Sequence, residues 1–275
     1  MIEQSTANSQ PSDYQDRSML TNNISILSKL DQFDQHGLDD LKNAKLMDRV
    51  DTKFLIPMDM LDELLSGIKS HYSVLEINGK RVFTYQNTYF DTTDMEFYHH
   101  HHQGKLNRYK VRHRHYADSN LGFLEVKFKN NKGRTIKTRI KSSNPSIEGE
   151  QEQAFLSRYF DKESTALTPS QSGSYERMAF ANEKTGERLT LDFNLSFKML
   201  DGGERVSLND FFVAELKQNT YNLRSPFSLE MSRRGIRSNN FSKYCMGCAI
   251  SNSRMKQNKF KAVILSVNKL VKESS

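Results

Sequence analysis

Much of the chain alternates between polar and apolar positions with a period of two, the mark of strands that bury one face. Over 107–116, NRYKVRHRHY puts Lys110, Arg112, Arg114 and Tyr116 on one side and Tyr109, Val111, His113 and His115 on the other. The same alternation sets Arg49, Asp51 and Lys53 against Val50, Thr52, Phe54 and Ile56. Glu125, Lys127 and Lys129 oppose Leu124, Val126 and Phe128, and Lys137, Arg139 and Lys141 oppose Ile136 and Ile140. In ERLTLDFNLSF, Arg188, Thr190, Asp192, Asn194 and Ser196 oppose Leu189, Leu191, Phe193, Leu195 and Phe197. FFVAELKQ adds Glu215 and Lys217 to one face. These stretches predict an antiparallel sheet.

Helical spacing is confined to fewer places. Leu20, Ile24, Leu27 and Leu30 recur at helical intervals between Ser18 and about Lys45. Pro57 opens PMDMLDELLSGIK, whose apolar stripe is Met60, Leu61, Leu64, Leu65 and Ile68. Two more helices are expected, over 148–160 and from about Phe241 to Ile250. KESTALTPSQSGS, residues 162–174, reads as a long surface loop. No linker divides two cores, so the organisation is a polar, disordered tail at 1–17, a helical segment at 18–44, one strand-rich domain at 45–265 and a C-terminal tail at 266–275.

A sheet with one face in water explains the alternation but not why the polar face is so cationic. Strand neighbours at i and i+2 lie about 7 Å apart, where like charges repel by roughly 2 kcal/mol at an effective dielectric near 20. The net charge of +7 is also local: residues 105–141 hold twelve Lys and Arg against Asp118 and Glu125, leaving about −3 for the remainder. A solvated face and a curled sheet with an inward, anion-holding face both remain open on pattern alone. If the sheet closes into a barrel, the charged faces point inward and the apolar faces lie under helices.

Several classes of partner and chemistry lack their signatures. No apolar run is long enough to span a bilayer, and the N-terminus has no secretory pattern, so a cytoplasmic protein is expected. Helix-turn-helix, zinc-finger and RNP-type patterns are missing, so nucleic acid is not the expected partner. No P-loop or dinucleotide fingerprint occurs; Gly104 and Gly133 sit in hairpin-like turns. The tract His99–His102 lacks a spacing that converges metal ligands, and Cys245 and Cys248 read as core thiols on a helix. Many cations with very few acids suit phosphates together with a divalent metal.

At this point DRVDTKFLI, TYFDT, GKLNRYKVRHRHY, FLEVKFK, YERMAF, LTLDFNLSF, VAELKQ and FSKYCMG, in that order, resemble a VTC domain over about residues 45–250. That is the polyphosphate polymerase domain of the vacuolar transporter chaperone family, of the stand-alone bacterial type. The resemblance implies an α+β triphosphate tunnel: a closed eight-stranded antiparallel β-barrel with flanking α-helices. It also implies ATP and inorganic polyphosphate as substrates, Mn²⁺ or Mg²⁺ as cofactor, and a membrane protein as a conceivable partner for the product.

Carried over motif by motif, the phosphate ligands would be Lys53, Lys110, Arg112, Arg114, Lys127, Lys137, Arg177, Lys217, Ser242 and Lys243. Lys53, Arg112, Arg114, Lys127, Arg177 and Lys243 would carry the catalysis. Tyr175 resembles the tyrosine of the family's Y-x-R motif, and Glu215 its metal-binding glutamate. One departure stands out. The wider tunnel superfamily's hydrolases carry an E-x-E-x-K first strand, whereas this chain has Arg49, Asp51 and Lys53, a pattern nearer to a polymerase than to a triphosphatase. A phosphate-binding module without turnover is the alternative reading.

Overall fold

The computed structural model of the chain describes residues 26–40, 50–160 and 167–273. The expected tail at 1–17, Leu20 and Ile24 of the N-terminal helical segment, and Arg49 lie outside those residues. Within them the alternating stretches are strands: β1 (Gln35–His36), β2 (Val50–Pro57), β3 (Ser73–Leu75), β4 (Phe83–Thr92), β5 (Arg108–Tyr116), β6 (Leu121–Lys129), β7 (Thr135–Lys141), β8 (Leu167–Asn182), β9 (Glu187–Met199), β10 (Arg205–Leu208) and β11 (Phe211–Gln218). The helices are α1 (Leu61–Ile68), α2 (Glu96–Gln103), α3 (Glu150–Leu156), α4 (Pro226–Arg233), α5 (Lys243–Ser251) and α6 (Lys261–Glu273), besides a helical stretch at 26–30.

The closed eight-stranded barrel is not what forms. The strands make one open, eleven-stranded sheet in the order β2-β11-β9-β8-β4-β5-β6-β7, with β3 beside β8, β1 beside β3 and β10 beside β9. Its two ends, β2 and β7, do not pair. The reason lies in the backbone of β2. Phe54 bridges Ser238, and the Asn239 N–H donates to the Lys53 carbonyl at 2.7 Å. Those groups are therefore not free for a ladder to β7. The sheet still curls, since Lys53 on β2 acts electrostatically on Lys110 and Lys127, on β5 and β6.

The convex side is a conventional core. Phe54, Ile56, Leu189, Leu191, Phe193, Phe212 and Leu216 pack against Leu61, Leu64, Leu65 and Ile68 of α1 and Phe227 and Met231 of α4. Farther along, Val111, Leu124 and Val126 meet Phe155 and Leu156 of α3. Burying each such side chain contributes about 1.5–3 kcal/mol.

The concave side changes character along its length, and β9 shows why. Opposite Ser174–Glu176 of β8, β9 runs from Ser196 to Phe193, one residue more than its partner. Asn194, at φ 50°, takes up that bulge in the left-handed region that Asn tolerates. The bulge reverses the alternation. Thr190 and Asp192 face the concavity before it; Leu195 and Phe197 face it afterwards, against Met246 and Ala249 of α5 and Val263 and Val267 of α6. Phe193 thus lies under the outer helices as expected, but Phe197 does not. Gly247 lets α5 approach closely, because a Cβ there would stand 1.7 Å from the Gln171 amide nitrogen and 2.8 Å from Phe197.

Other departures have local causes. Residues 167–174, expected as loop, open β8; Pro169 sits at the register shift near Tyr89 and Phe90, where its missing N–H is tolerated. α2, α4 and α6 were not expected as helices. α2 has no apolar stripe to announce it. Its N-terminus is capped at a distance by buried Asp91, whose carboxylate accepts the Phe97 and Tyr98 N–H groups at 2.8 and 2.9 Å.

Candidate functional site

Strand parity and the α5 N-terminus bring the expected phosphate ligands onto one concave face. β5 supplies Lys110, Arg112 and Arg114; Lys127 and Lys137 follow on β6 and β7. Lys53 comes from β2, Glu215 and Lys217 from β11, and Tyr175 and Arg177 from β8. Ser242 is the N-cap of α5 and Lys243 its first residue.

Three buried or half-buried carboxylates organise these cations. Glu125, 2% exposed, accepts from Arg112 Nε at 2.7 Å and pairs with Lys137 at 2.6 Å. Burial alone would raise its pKa, but Arg112, Arg114 and Lys137 bring it down to about 2. Asp192, fully buried, takes a two-pronged contact from Arg177 at 2.5 and 2.7 Å and is also paired with Lys243. Here too the cations outweigh burial, and the carboxyl sits at about 2. Glu215 pairs with Lys53 at 3.0 Å and Lys217 at 3.4 Å. Burial opposes its charge, yet Lys217, Lys53 and Arg177 hold it well below the usual carboxylate range.

A second arrangement is a row of amines. Lys110, Lys127 and Lys137 lie directly opposite one another across β5, β6 and β7. Like charges in register are unfavourable. Lys127 is open to solvent at its surface yet enclosed among protein atoms. That enclosure first, then Lys110 and Lys53, lowers its amine to about 8. Lys137 is also lowered to about 8, chiefly by burial, with Glu125 pulling it back up. Lys110 donates to Ser242 Oγ at 2.8 Å, and burial lowers its pKa as well.

Aromatic rings fix the guanidiniums. Arg114 donates to Asn87 Oδ1 at 3.1 Å and to the Tyr175 hydroxyl at 2.8 Å, and its charge lies 5.2 Å from the Tyr85 ring. Arg177 lies over Tyr85 and Tyr175, and Lys243 lies 4.5 Å from the Tyr175 ring centre. Tyr89, behind Arg112, stacks on Tyr244 of α5 at 5.0 Å.

Sequence reasoning missed the parts played by Glu125, Asp192, Asn87, Tyr85 and Tyr89. Glu125 and Asp192 did carry a signal, as lone acids on polar faces.

Of the residues set aside earlier, His101 and Cys245 lie beside Lys110. His101 is fixed between the Tyr109 carbonyl and Arg108, and burial lowers its pKa to about 2. Cys245 and Cys248 are buried. A recess of about 400 Å³, lined by Gln86, Thr88, His113, His115, Ser172 and Ser174, opens on the convex side.

Among the described residues, no three His, Cys, Asp or Glu side chains converge on a point. An all-protein cage is therefore not present there; a divalent ion would have the Glu215 carboxylate, now paired with Lys53 and Lys217, as a single protein ligand. Asp51, the acid left in the first-strand motif, lies opposite Lys217.

A curled antiparallel sheet with a cationic concave face, its acids each shared between cations, defines an α+β anion-handling protein. The chain belongs to the VTC-domain family, whose sequence model matches residues 48–252, and so to a family of phosphate-handling enzymes. No curated protein matches it. Solved structures similar to it include an adenylate cyclase candidate from Vibrio parahaemolyticus, at 17% identity and TM-score 0.44, covering 72% of this chain and 97% of that one. Another candidate, from Bacillus halodurans, is 15% identical, with TM-score 0.45 and coverage of 70% and 93%. An adenylyl cyclase candidate from Hippeastrum, described as having dominant triphosphatase activity, is 16% identical, with TM-score 0.47 and coverage of 74% and 97%. Among the described residues no helix is long and apolar enough to cross a membrane.

Proposed function

We propose that the chain is a metal-dependent polyphosphate polymerase that transfers the γ-phosphoryl group of ATP to the end of a polyphosphate chain. The observation that carries this reading is the row of three amines Lys110, Lys127 and Lys137, in register on neighbouring strands, of which Lys137 also pairs with Glu125. Three amines that repel one another are relieved by an extended polyanion with regularly repeated charge. Membership of the VTC-domain family supports a phosphate-handling reaction.

A terminal phosphate oxygen of the polymer attacks the γ-phosphorus as the bond to the β,γ-bridging oxygen breaks, and ADP departs. The attacking oxygen is already anionic, so the protein need not supply a strong base. Its work is to position the phosphates and neutralise their charge. Arg112, Arg114 and Arg177, pre-oriented by acids and rings, grip oxygens in pairs, while Lys53, Lys127, Lys217 and Lys243 follow the charge as it shifts. Ser242 and the first N–H groups of α5 add donors. Glu215 is the residue that would hold Mn²⁺ or Mg²⁺, and such an ion would supply neutralisation of phosphate charge.

The test is incubation with ATP and Mn²⁺, with products resolved on a gel stained for polyphosphate and ADP followed in parallel. Long polymer with matching ADP is expected, and Lys127→Ala and Arg112→Ala should abolish it. Free phosphate without polymer would assign hydrolysis instead, and bound polymer with ATP unchanged would assign a binding module.

A further inference from the structure

On the convex side the sheet is apolar where α1 and α4 pack on it and again where α3 meets β5 and β6. Between those layers the face changes character. Ser196, Ser174, Gln86 and His115 stand opposite one another on β9, β8, β4 and β5, and Lys198, Ser172, Thr88 and His113 form the next row. All eight are polar and none is acidic. Arg205 of β10 pairs with Lys198 and donates to Ser196 Oγ at 2.9 Å. A merely solvated face mixes charges of both signs, whereas these rows hold two fixed cations and two imidazoles.

The rows floor the recess of about 400 Å³. One side of it is the segment that follows β7, and Gly122 makes room for that segment. A Cβ at Gly122 would overlap the Ser142 carbonyl oxygen and stand 2.8 Å from His113 Nε2. Ser143 and Pro145 line this side, and Arg205 lines the other. The close approach also fixes His113, whose Nε2–H donates to the Ser142 carbonyl at 2.8 Å and leaves Nδ1 for a ligand. His115 is set between Gln86 Oε1 at 3.3 Å and Asn120 Oδ1 at 2.9 Å. Acids stay out of the lining: Glu176, two residues beyond Ser174, accepts from Asn194, and Glu152 of α3 acts on His113 only through its charge.

That composition selects among ligands. A metal ion would find two imidazoles and no carboxylate, too few ligands for a protein site. An apolar molecule would strip water from the polar floor without replacing its hydrogen bonds. A neutral polyol donates as many hydrogen bonds as it accepts, and the lining lacks the carboxylates that would receive its hydroxyls. An oxyanion is suited, because hydroxyls, a side-chain amide and a guanidinium can all donate to its oxygens. The volume lies in the range of small-molecule sites, so the anion can be larger than a single phosphate.

We propose that this recess is a second anion site, on the opposite face of the sheet from the cationic groove, which takes a small phosphate-bearing molecule. It stands independently of the reaction proposed above. The two sites share strands: His113 and His115 alternate with Arg112 and Arg114 on β5, and Gln86 and Thr88 flank Asn87, which anchors Arg114.

The experiment titrates the full chain with inorganic phosphate, inorganic triphosphate, ribose 5-phosphate and ribose while NMR follows the imidazole signals. Signals of His113 and His115 are assigned with His113→Gln and His115→Gln. At least one phosphate-bearing probe should shift both signals saturably, and ribose should not. Arg205 is exposed and lies outside the groove, so Arg205→Glu should keep the fold and weaken this response at least tenfold. Lys127→Ala, on the other face, should leave it in place. Response to ribose 5-phosphate alone would support the site and assign an organic phosphate; response to the inorganic anions as well would support it and assign free phosphate. Silence with all three phosphates, an equal response to ribose, or a response unchanged in Arg205→Glu would overturn the site. Loss of the response in Lys127→Ala would overturn it too, since the histidines would then be reporting the groove through β5.

Discussion

The Lys110 amine donates to the Ser242 hydroxyl at 2.8 Å, tying the middle of the cationic strand to the first turn of α5. The same hydroxyl accepts the Cys245 N–H at 3.3 Å and so caps the helix. Ser242→Ala removes both contacts. Losing the cap should cost about 1 kcal/mol, a few degrees in Tm. Loss of the donor should weaken polyphosphate binding severalfold beyond that. Ser242→Thr keeps the hydroxyl and should restore most of both. Thermal melts and binding isotherms on the three proteins separate the effects; affinity unchanged in the alanine variant would remove Ser242 from the phosphate site.

Asp192 is shared by Arg177 and Lys243, which makes it a stand-in for substrate charge. Asp192→Asn leaves two buried cations uncompensated, a loss of about 3–5 kcal/mol for a broken buried pair. Added inorganic triphosphate would restore the missing charge. The variant should therefore melt lower than the parent but gain more Tm from triphosphate. Equal gains in the two proteins would mean that phosphate does not reach Arg177 and Lys243.

The pH response follows from Lys127 and Lys137, both held at about 8. These amines are lowered relative to an unfolded lysine at about 10.4, so in the folded protein they lose charge first. As pH rises through about 8 the groove becomes less cationic and triphosphate affinity should fall. Bound phosphate favours the charged amines, so binding near pH 8 should take up protons, and binding well below it should not. Stability moves the other way: between the two pKa values the unfolded chain binds more protons, so these lysines favour folding as pH rises. Calorimetry in buffers of differing ionisation heat reads the proton uptake directly. No uptake near pH 8 would place the two amines outside the site.

Most of the sheet was legible because period-two alternation is a direct consequence of strand geometry, and the cationic side of β5, β6 and β7 followed from it. The loss came where a local event breaks the period. Asn194 shifts β9 by one residue, and no count along ERLTLDFNLSF announces that Phe197 turns from the outer helices to α5. Closure of the barrel was likewise invisible to pattern, because it depends on whether segment 238–239 occupies the edge of β2. The cations of the concave face were readable as a set. Their partners were not: Glu125 meets Lys137 across strands, and Asp192 meets Lys243 from 51 positions away.

Asp91 offers a test of how α5 is held. Its carboxylate is fully buried and accepts three backbone N–H groups, from Thr92, Phe97 and Tyr98, together with the Tyr244 hydroxyl. It thereby locks α2 and α5 onto the end of β4. Tyr244→Phe keeps the ring stacked on Tyr89 and removes only the hydroxyl, so Asp91 retains its backbone donors and the stability loss should stay near 1 kcal/mol. Asp91→Ala strands two helix N–H groups and should cost about 3 kcal/mol or more. Both changes loosen the seat of Ser242 and Lys243 without touching phosphate. The expected kinetic signature of Tyr244→Phe is a kcat for ATP-dependent polymer synthesis reduced about tenfold, a KM for ATP little changed and a fold that stays intact. A purely structural role would lower Tm and leave kcat per folded molecule untouched, which would separate the seating of α5 from the chemistry.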